Sequence, residues 1–417
     1  MKIFADLHIH SRFSRATSKE INLKNLSKYA KIKGLNLLGC GDFTHPVWFK
    51  ELKESLNPLG NGIYEYDGTY FILTSEVSSV YEQEGKTRKI HNLILSPSFE
   101  IVEQINDFFL KRGYDLGSDG RLTIDIPCPE LVEKIKEIDN KNEIIPCHIW
   151  TPWFSLFGSN SGFNSVKECF QDQEKHIFAL ETGLSSDPEM NWRLSQLDKY
   201  ILVSNSDSHS YYPWRIGREA NVFDCDLDYN EIIKAMKEKN SKKFLFTIEV
   251  DPSYGKYHFD GHRKCGVRLS PKEALKLNNI CPVCRRKLTI GVLHRVEELA
   301  DREEGFVPKK AIPFKSLIPL SEIISHVLNT NDLYSRKVWE EYNKLINIGP
   351  EFEILLNTPK EKLLEITKKE IAELIIKIRE GEVKIIPGYD GVYGKLVLNG
   401  KGDLEKSPQK TLRSFIS

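Results

Sequence analysis

The sequence contains no run of about 18 apolar residues, the length that a membrane-spanning helix requires. Residues 1–10 contain neither the basic region nor the apolar stretch of a signal peptide. The formal net charge is zero, because 59 lysines and arginines are balanced by 59 aspartates and glutamates. We therefore expect a protein that neither spans a membrane nor is exported. Any surface that binds a polyanion must be a local patch.

Cysteine is sparse outside one segment, since five of the eight cysteines stand alone. Isolated buried thiols behave as small apolar groups in a reducing compartment, which favours a cytoplasmic location. The chain has no internal repeat and no low-complexity segment. At 417 residues and 40% hydrophobic, it is long enough for two to four folded domains.

Residues 1–250 alternate short apolar runs with amphipathic stretches, a pattern typical of βα units around a parallel sheet. We predict helices over 22–33, 101–111 and 131–138. The predicted strands cover residues 3–7, 35–40, 70–75, 89–95, 143–147, 177–180 and 200–204. The most economical fold is a closed, TIM-like α/β barrel, in which the carboxyl ends of the strands meet at one mouth.

The remainder of the chain differs in character. We expect a small basic module over 251–305, then a mainly helical domain over 306–400 that ends in a hairpin over 383–398. A short polar tail follows over 401–417.

Histidines and acidic residues recur at the ends of the predicted strands. A single histidine there is more often a hydrogen-bonded polar residue than a metal ligand, but nine such residues at the same phase indicate a metal cluster. Two or three divalent ions fit this set, with zinc, manganese, iron and magnesium as the alternatives. The predicted ligands are His8, His10, Asp42, His45, Glu76, His91, His148, Asp207 and His209.

These residues carry a resemblance to a known family. The run Asp6-Leu-His8-Ile-His10, the Asp42 turn and Ser206-Asp-Ser-His209 resemble the motifs of the polymerase and histidinol phosphatase (PHP) family. The resemblance implies a distorted (β/α)7 barrel whose metals cleave phosphoesters. Members usually carry adjacent Asp-His in the second motif, whereas Phe43 follows Asp42 here, so His45 is the substitute ligand. We expect catalysis to depend most on Asp207, His8, His10 and Glu76.

A second metal site is predicted from His262-x2-Cys265 and Cys281-x2-Cys284, which are separated by fifteen residues. Four such ligands complete the tetrahedron of a structural zinc; His258 is an alternative to His262. Residues 261–302 hold ten lysines and arginines against four acidic residues, which predicts contact with DNA phosphates or, alternatively, a solvated basic face. The candidate contacts are Arg263, Lys264, Arg268, Arg285 and Arg286.

The order of these features is similar to the endonuclease Q family of DNA-repair enzymes, which also accounts for Pro387-Gly-Tyr-Asp-Gly-Val-Tyr-Gly394. The resemblance implies hydrolysis of the phosphodiester 5′ of hypoxanthine, uracil, xanthine and abasic sites, leaving a 3′-hydroxyl and a 5′-phosphate. A small-molecule phosphatase and a non-catalytic DNA-binding replication or repair accessory are the alternatives. The spacing of residues 388–395 does not fit a nucleotide-binding P-loop, so we expect no nucleotide cofactor.

Aromatic residues follow two of the predicted ligands. We predict that they stack on an extrahelical base; packing of the loops against the barrel is the alternative. They are Trp150, Trp153 and Phe154 after His148, and Tyr211, Tyr212 and Trp214 after His209.

The end of the tail resembles the box by which repair proteins bind the replication sliding clamp. Leu412 and Phe415, three residues apart, would lie on one face of a helical turn, with Gln409 and Ile416 beside them. The alternative is that this segment docks on its own domain.

Overall fold

The computed structural model describes residues 1–397, so the predicted clamp-binding box lies outside the described residues. Within them no helix is both long and apolar enough to cross a membrane. The strands of the described chain are β1 (Lys2–Asp6), β2 (Leu37–Gly39), β3 (Asn57–Pro58), β4 (Tyr64–Tyr66), β5 (Thr69–Gln83), β6 (Lys86–Ser96), β7 (Leu122–Ile124), β8 (Glu143–Pro146), β9 (Ala179–Glu181), β10 (Ile201–Val203), β11 (Ala220–Asp224), β12 (Phe244–Glu249), β13 (Asp260–His262), β14 (Val267–Leu269), β15 (Phe314–Ser316), β16 (Lys384–Ile386) and β17 (Lys395–Val397).

The helices agree with the amphipathic stretches of the sequence. The first begins where the Asn22 side chain accepts a hydrogen bond from the Asn25 N–H, and it ends at Gly34, whose φ of 96° suits glycine. The α-helices are α1 (Leu23–Lys33), α2 (Pro46–Ser55), α3 (Phe99–Lys111), α4 (Cys128–Ile138), α5 (Val166–Phe170), α6 (Pro188–Trp192), α7 (Tyr229–Lys237), α8 (Pro271–Lys276), α9 (Val292–Leu299), α10 (Leu320–Val327), α11 (Arg336–Ile346), α12 (Glu351–Leu356), α13 (Lys360–Ile366) and α14 (Lys369–Arg379).

All seven predicted strands are present, as β1, β2, β5, β6, β8, β9 and β10, and the mixed α/β fold class is confirmed. The expectation of an all-parallel, TIM-like ring is wrong. Strands β1, β2 and β5 pair in parallel, but β6 is antiparallel to both β5 and β8. The reason is local: Glu84 and Gly85 both have positive φ, which makes a two-residue hairpin turn that leaves no room for a crossover helix.

Backbone hydrogen bonds beyond the strand ends close the ring. The Ile149 N–H donates to the Glu181 carbonyl over 3.0 Å, and the His10 N–H donates to the Ser208 carbonyl over 2.9 Å. Strand β1 pairs along its length with β11 instead of β10, and the sheet continues through β12 to β15. This distorted closure brings the polar ends of β1, β8 and β10 together with side chains from inside β5 and β6 at one mouth.

The interior below the mouth is apolar. Ile3, Leu37, Ile72, Leu93 and Ile145 are fully buried there, one from each of five strands. A second apolar layer lies between the strands and the surrounding helices. The mouth therefore rests on a packed base, as in barrels whose loops carry the function.

The chain beyond the barrel forms a small hairpin of β13 and β14, a helical bundle of α10 to α14, and a closing hairpin of β16 and β17. The predicted hairpin is thus present, and strand β17 rather than a helix begins at Lys395. Its loop lies against the segment that leaves the barrel: the Phe259 N–H donates to the Gly388 carbonyl, and the Gly391 N–H donates to the Lys256 carbonyl.

Candidate functional site

The polar mouth is built on unusual backbone. Asp42, His148 and Asp207 all have positive φ, at 47°, 31° and 48°, although none is glycine. Such conformations cost free energy and concentrate at functional sites. His8 and His10 follow β1 two residues apart, so the extended chain turns both imidazoles to the same side.

Four predicted ligands meet at one point: the ligand atoms of His8, His10, Glu76 and Asp207 all lie within 4.8 Å of one another. The His10 Nε2 is 3.0 Å from Asp207 Oδ1 and 3.3 Å from Glu76 Oε2. The His8 Nε2 is 3.7 Å from an oxygen of each carboxylate. These atoms surround a space that suits a divalent ion.

A second group shares Glu76 with the first. Glu76, His91 and His148 also have ligand atoms within 4.8 Å of one another. Glu76 pairs with Leu93 across β5 and β6, and Ser78 pairs with His91, so Glu76 and His91 are diagonal neighbours on one face. Both lie inside long strands instead of at strand ends. Because Glu76 belongs to both groups, its carboxylate could bridge two ions.

The structure gives Asp42 a supporting position. One of its oxygens accepts a hydrogen bond from the His10 Nδ1 over 2.9 Å. The other accepts from the Ser11 N–H, the Ser11 hydroxyl and the Ser14 hydroxyl. Both oxygens are therefore engaged by the protein, a geometry that favours Asp42 as a residue that orients His10; its role as a metal ligand stays a prediction.

Glu181 plays the same part for His8, and the sequence interpretation missed it. Its carboxylate accepts from the His8 Nδ1 over 3.0 Å, and also from the His148 N–H and the Asn205 amide. A signal for it was available in the sequence, because Glu181 directly follows the predicted strand 177–180, just as Glu76 follows the predicted strand 70–75.

These residues fit a divalent metal. The His8 Nε2 is buried and, among the described residues, has no hydrogen-bond partner. The Nδ1 atoms of His8 and His10 are held by carboxylates, which leaves each Nε2 free to coordinate. Imidazole nitrogens and carboxylate oxygens are the donors of zinc, manganese and iron centres, and the ligating histidines there commonly donate their other ring N–H to a carboxylate.

The electrostatics keep the carboxylate ligands charged. Burial would lower the pKa of His8 and of His10, but the charges of Glu181 and Asp42 raise both pKa values well above the usual range. Burial would raise the pKa of Glu76, but the charge of His91 and the hydrogen bonds of three other histidines hold that pKa well below its usual range. Burial lowers the pKa of His91 to about 4. The pKa of Asp207 is also lowered, because the hydrogen bond from His10 and the charge of His8 outweigh burial. At neutral pH the carboxylates are charged and His91 is neutral.

Besides Asp42, two more predicted ligands lie outside these groups. His45 precedes α2, and its ring stacks on Phe13 at 4.1 Å, so this imidazole packs on a neighbouring ring and belongs to neither ligand group. The His209 ring lies 4.6 Å from that of His10, and its Nδ1 is 2.9 Å from the Asp207 carbonyl. His209 thus borders the cluster without joining either group.

The cluster is open along one edge. The side chains of His8, His10 and Glu76 are fully buried, whereas those of Asp207 and His209 are each 31% exposed. Arg121 lies on the same edge, with its Nη1 3.3 Å from Glu76 Oε2. No motif pointed to Arg121, because a single arginine in a loop carries no signal by itself.

Three of the six predicted base-stacking aromatics are buried. Trp150 is 1% exposed and stacks on Phe157, while Tyr211 and Trp214 flank Tyr212 in a stack against the helical bundle. In this structure these side chains pack the loops against the rest of the protein, which fits a packing role better than stacking on a base. Trp153 remains 47% exposed, and Phe154 contacts the His91 ring.

A cavity of about 1010 Å³ adjoins the metal groups. It begins at Thr151, whose hydroxyl is 3.2 Å from the His148 Nδ1, and it extends between the barrel, the bundle and the closing hairpin. Trp153, Tyr257 and Tyr389 line it together with Lys256 and Arg215. Its walls therefore combine aromatic faces with positive charge.

The second predicted metal site also assembles. The ligand atoms of His262, Cys265, Cys281 and Cys284 lie within 4.8 Å of one another, and the Cys284 Sγ is 3.4 Å from the His262 Nδ1. His258 is buried against Phe259 and does not belong to this group. Four sulfur and nitrogen donors with no remaining position match a structural zinc site.

The basic residues of this module divide into two sets. Arg263, Lys264, Arg285 and Arg286 are exposed at the tips beside the four ligands, and Arg268 is half-buried. Arg302, in contrast, makes a bidentate ion pair with Asp198. The exposed set presents positive charge to a polyanion, as do the exposed Lys272, Lys276 and Lys287.

Residues 319–382 match the family described as the MJ0043 C-terminal domain. The MJ0043 protein of Methanocaldococcus jannaschii is 37% identical over 256 residues, 59% of this chain, and the match spans 31% of that relative, so the chain covers about a third of its length. The YqxK protein of Bacillus subtilis is 29% identical over 410 residues, covering 95% of this chain and 99% of the relative.

Solved structures match along nearly the whole chain. Endonuclease Q in complex with a 27-mer duplex substrate, with an abasic lesion at the active site, has a TM-score of 0.84 and 33% identity and covers 96% of this chain and 98% of its own. The lesion-specific endonuclease of Pyrococcus furiosus has a TM-score of 0.86 and 34% identity. Because this second match covers 96% of each chain, the protein belongs to the endonuclease Q family of lesion-specific endonucleases.

Proposed function

We propose that this protein is a metal-dependent DNA-repair endonuclease that incises 5′ of deaminated bases and abasic sites. The observation that carries the proposal is the pair of ligand groups joined by Glu76 at an open barrel mouth, in a chain that belongs to the endonuclease Q family. His8, His10, Glu76 and Asp207 would hold one divalent ion, and Glu76, His91 and His148 another. Bound ions supply Lewis-acid activation of water and of the phosphate.

The protein groups have distinct tasks in this reaction. Glu181 and Asp42 hold the two histidines of β1 so that each Nε2 faces the cluster. The open edge at Asp207 and His209 admits the phosphodiester. Attack of water on the phosphorus, with departure of the 3′-oxygen, leaves a 3′-hydroxyl and a 5′-phosphate.

The cavity beside the metal groups supports recognition of an extrahelical nucleotide. Enzymes that act on one nucleotide remove it from the stack, and a stacked aromatic side chain contributes about 1–3 kcal/mol per base. Trp153 is placed for this role, because it is exposed and lines the cavity. Hypoxanthine, uracil and xanthine are the proposed bases.

DNA is the proposed partner of the exposed basic tips at the zinc module, since lysine and arginine neutralise phosphates regardless of sequence. The sliding clamp is a further proposed partner on the sequence of Gln409, Leu412, Phe415 and Ile416, which lie outside the described residues.

The test is incision of end-labelled duplexes that carry one hypoxanthine, uracil, xanthine or abasic site, with an undamaged duplex beside them. We expect cuts 5′ of the lesion, with ends that a polymerase extends and a ligase joins. Asp207→Asn should lower the rate by at least 100-fold while its circular dichroism and DNA affinity stay unchanged, because the apolar base below the mouth holds the fold.

Two results would contradict the proposal. Near-normal incision by Asp207→Asn would rule out the metal cluster as the catalyst. Hydrolysis of a free phosphate monoester without any incision would favour the small-molecule phosphatase.

A further inference from the structure

Arg121 lies on the open edge of the metal cluster, where a substrate must arrive. Its Nη1 is 3.3 Å from Glu76 Oε2, and its side chain is 26% exposed although Glu76 is fully buried. Asp207, whose side chain is 31% exposed, borders the same edge. A guanidinium at this point faces the cluster on one side and solvent on the other.

The loop that carries Arg121 is fixed in place. The Gly120 N–H donates to the Phe13 carbonyl over 3.1 Å, and the Arg121 N–H donates to the Asp119 carboxylate over 3.2 Å. A Cβ at Gly120 would lie 2.5 Å from an oxygen of Asp42, so the backbone approaches the cluster as closely as glycine permits. Strand β7 begins at Leu122 and pairs with Val77 of β5. Arg121 is therefore held between two anchored neighbours.

The charge balance indicates what Arg121 faces. Glu76 and Asp207 are the anionic members of the two ligand groups. Two divalent ions would exceed their combined charge, and Arg121 adds another positive charge at the edge. A guanidinium placed only to neutralise Glu76 would then be repelled by the ions. An anion at the open edge reduces this excess of positive charge, and a phosphodiester supplies one negative charge.

Arginine suits this task better than lysine. Its planar fork offers parallel N–H donors that match the oxygens of a phosphate, and it stays charged at any working pH. Among residues 1–397 its guanidinium bonds to Glu76 through Nη1, so other N–H donors of the fork remain for a ligand.

We propose that Arg121 binds a non-bridging oxygen of the scissile phosphate and stabilises the negative charge that develops there. The inference rests on the proposed function, since it requires a phosphodiester at the cluster. Arg121 is then a catalytic residue that contacts the substrate, separate from the metal ligands.

The test compares Arg121→Ala and Arg121→Lys with Arg112→Ala, which removes a surface arginine that pairs with Glu130. Single-turnover incision of an abasic duplex should fall about 100- to 1,000-fold in Arg121→Ala, the usual loss for one transition-state donor. Arg121→Lys should lose less, and Arg112→Ala should match the wild type. Metal content and duplex affinity should remain at wild-type levels in all three variants.

Two further measurements separate substrate contact from structural support. Added guanidinium ion should restore part of the activity of Arg121→Ala and leave Asp207→Asn inactive. Replacing the scissile phosphate by an uncharged methylphosphonate should penalise the wild type much more than Arg121→Ala, because the variant no longer uses that charge.

Several outcomes overturn the inference. Wild-type incision by Arg121→Ala would show that the phosphate is held elsewhere. Loss of metal from Arg121→Ala, or an equal methylphosphonate penalty in both proteins, would assign Arg121 to support of Glu76. In these cases the proposed function stands, whereas a wild-type protein that cuts no lesion duplex would contradict both proposals.

Discussion

Asp42 occupies a position where the sequence pattern predicts a metal ligand, yet it acts through another residue. One carboxylate oxygen holds the His10 Nδ1, and the other accepts hydrogen bonds from Ser11 and Ser14. Ligating histidines commonly hold such a carboxylate on the nitrogen that faces away from the metal. The same relation joins Glu181 to His8.

The substitution Asp42→Asn tests this arrangement. The amide keeps one acceptor for His10 but cannot replace both carboxylate oxygens, so we expect metal affinity to fall about 10- to 100-fold. Incision should return when metal is added in excess, and a metal titration of activity and of bound metal measures the shift. His10→Ala removes a ligand and should not be rescued. If Asp42→Asn also resists rescue, Asp42 is a ligand itself.

At the scale of elements, the zinc module has little apolar core of its own. Its buried apolar cluster consists of five side chains from the short elements around the site: Val267, Leu269, Ala274, Cys281 and Leu288. So small a core does not support a stable fold without a cross-link such as a bound metal or a disulfide. The four ligands join β13 to the turn at Cys281, where the Arg285 N–H donates to the Cys281 carbonyl.

Replacing Cys281 and Cys284 together by serine should release about one equivalent of zinc and unfold the module, because metal binding and local folding share one free energy. The measurements are metal content and limited proteolysis within residues 251–305. Cys225→Ser, at a cysteine outside the group, is the matched control and should retain the zinc. An unchanged zinc content in the double variant would refute the site.

Duplex affinity should also fall in the double variant, and its salt dependence should weaken, because Arg285 and Arg286 lose their fixed positions beside the ligands. Catalytic metal in the barrel should be unaffected, which separates the two metal sites.

At the scale of the whole molecule, a buried ion pair joins the barrel to the helical bundle. The Lys33 Nζ lies 2.6 Å from a Glu351 oxygen, and both side chains are almost completely buried. Glu351 also accepts from the Leu320 N–H and the Tyr342 hydroxyl, while Lys33 donates to the Pro213 carbonyl. This network ties α1 to the start of α12 across 318 residues of sequence.

Removing one partner should be costly. Lys33→Met leaves the Glu351 charge buried without its cation, so we expect a loss of about 3–5 kcal/mol in the free energy of unfolding by denaturant. Lys31→Met is the control, because its ion pair with Asp67 is exposed and such pairs contribute about 0–1 kcal/mol. The double variant Lys33→Met, Glu351→Gln should recover part of the loss. Equal stability of the two single variants would contradict a buried interdomain lock.

Local spacing in the sequence already determined much of this protein. The two-residue step from His8 to His10 and the three-residue steps within each pair of zinc ligands bring their donors to one side of a chain segment, whatever the rest of the fold does. The alternation of apolar runs likewise located all seven strands of the barrel, since burial on both faces demands such runs.

Only the tertiary structure decided how those groups are used. Glu181 and Arg121 reach the cluster from 173 and 45 residues away, by packing that no local pattern encodes. Trp214 is buried against Trp339 of the helical bundle, whereas Tyr211 packs on Tyr29 of α1. The sequence does not distinguish an aromatic residue that packs a loop from one that faces a ligand. Spacing determines which side chains share a face, whereas the partner of each polar atom depends on long-range contacts made when the chain closes.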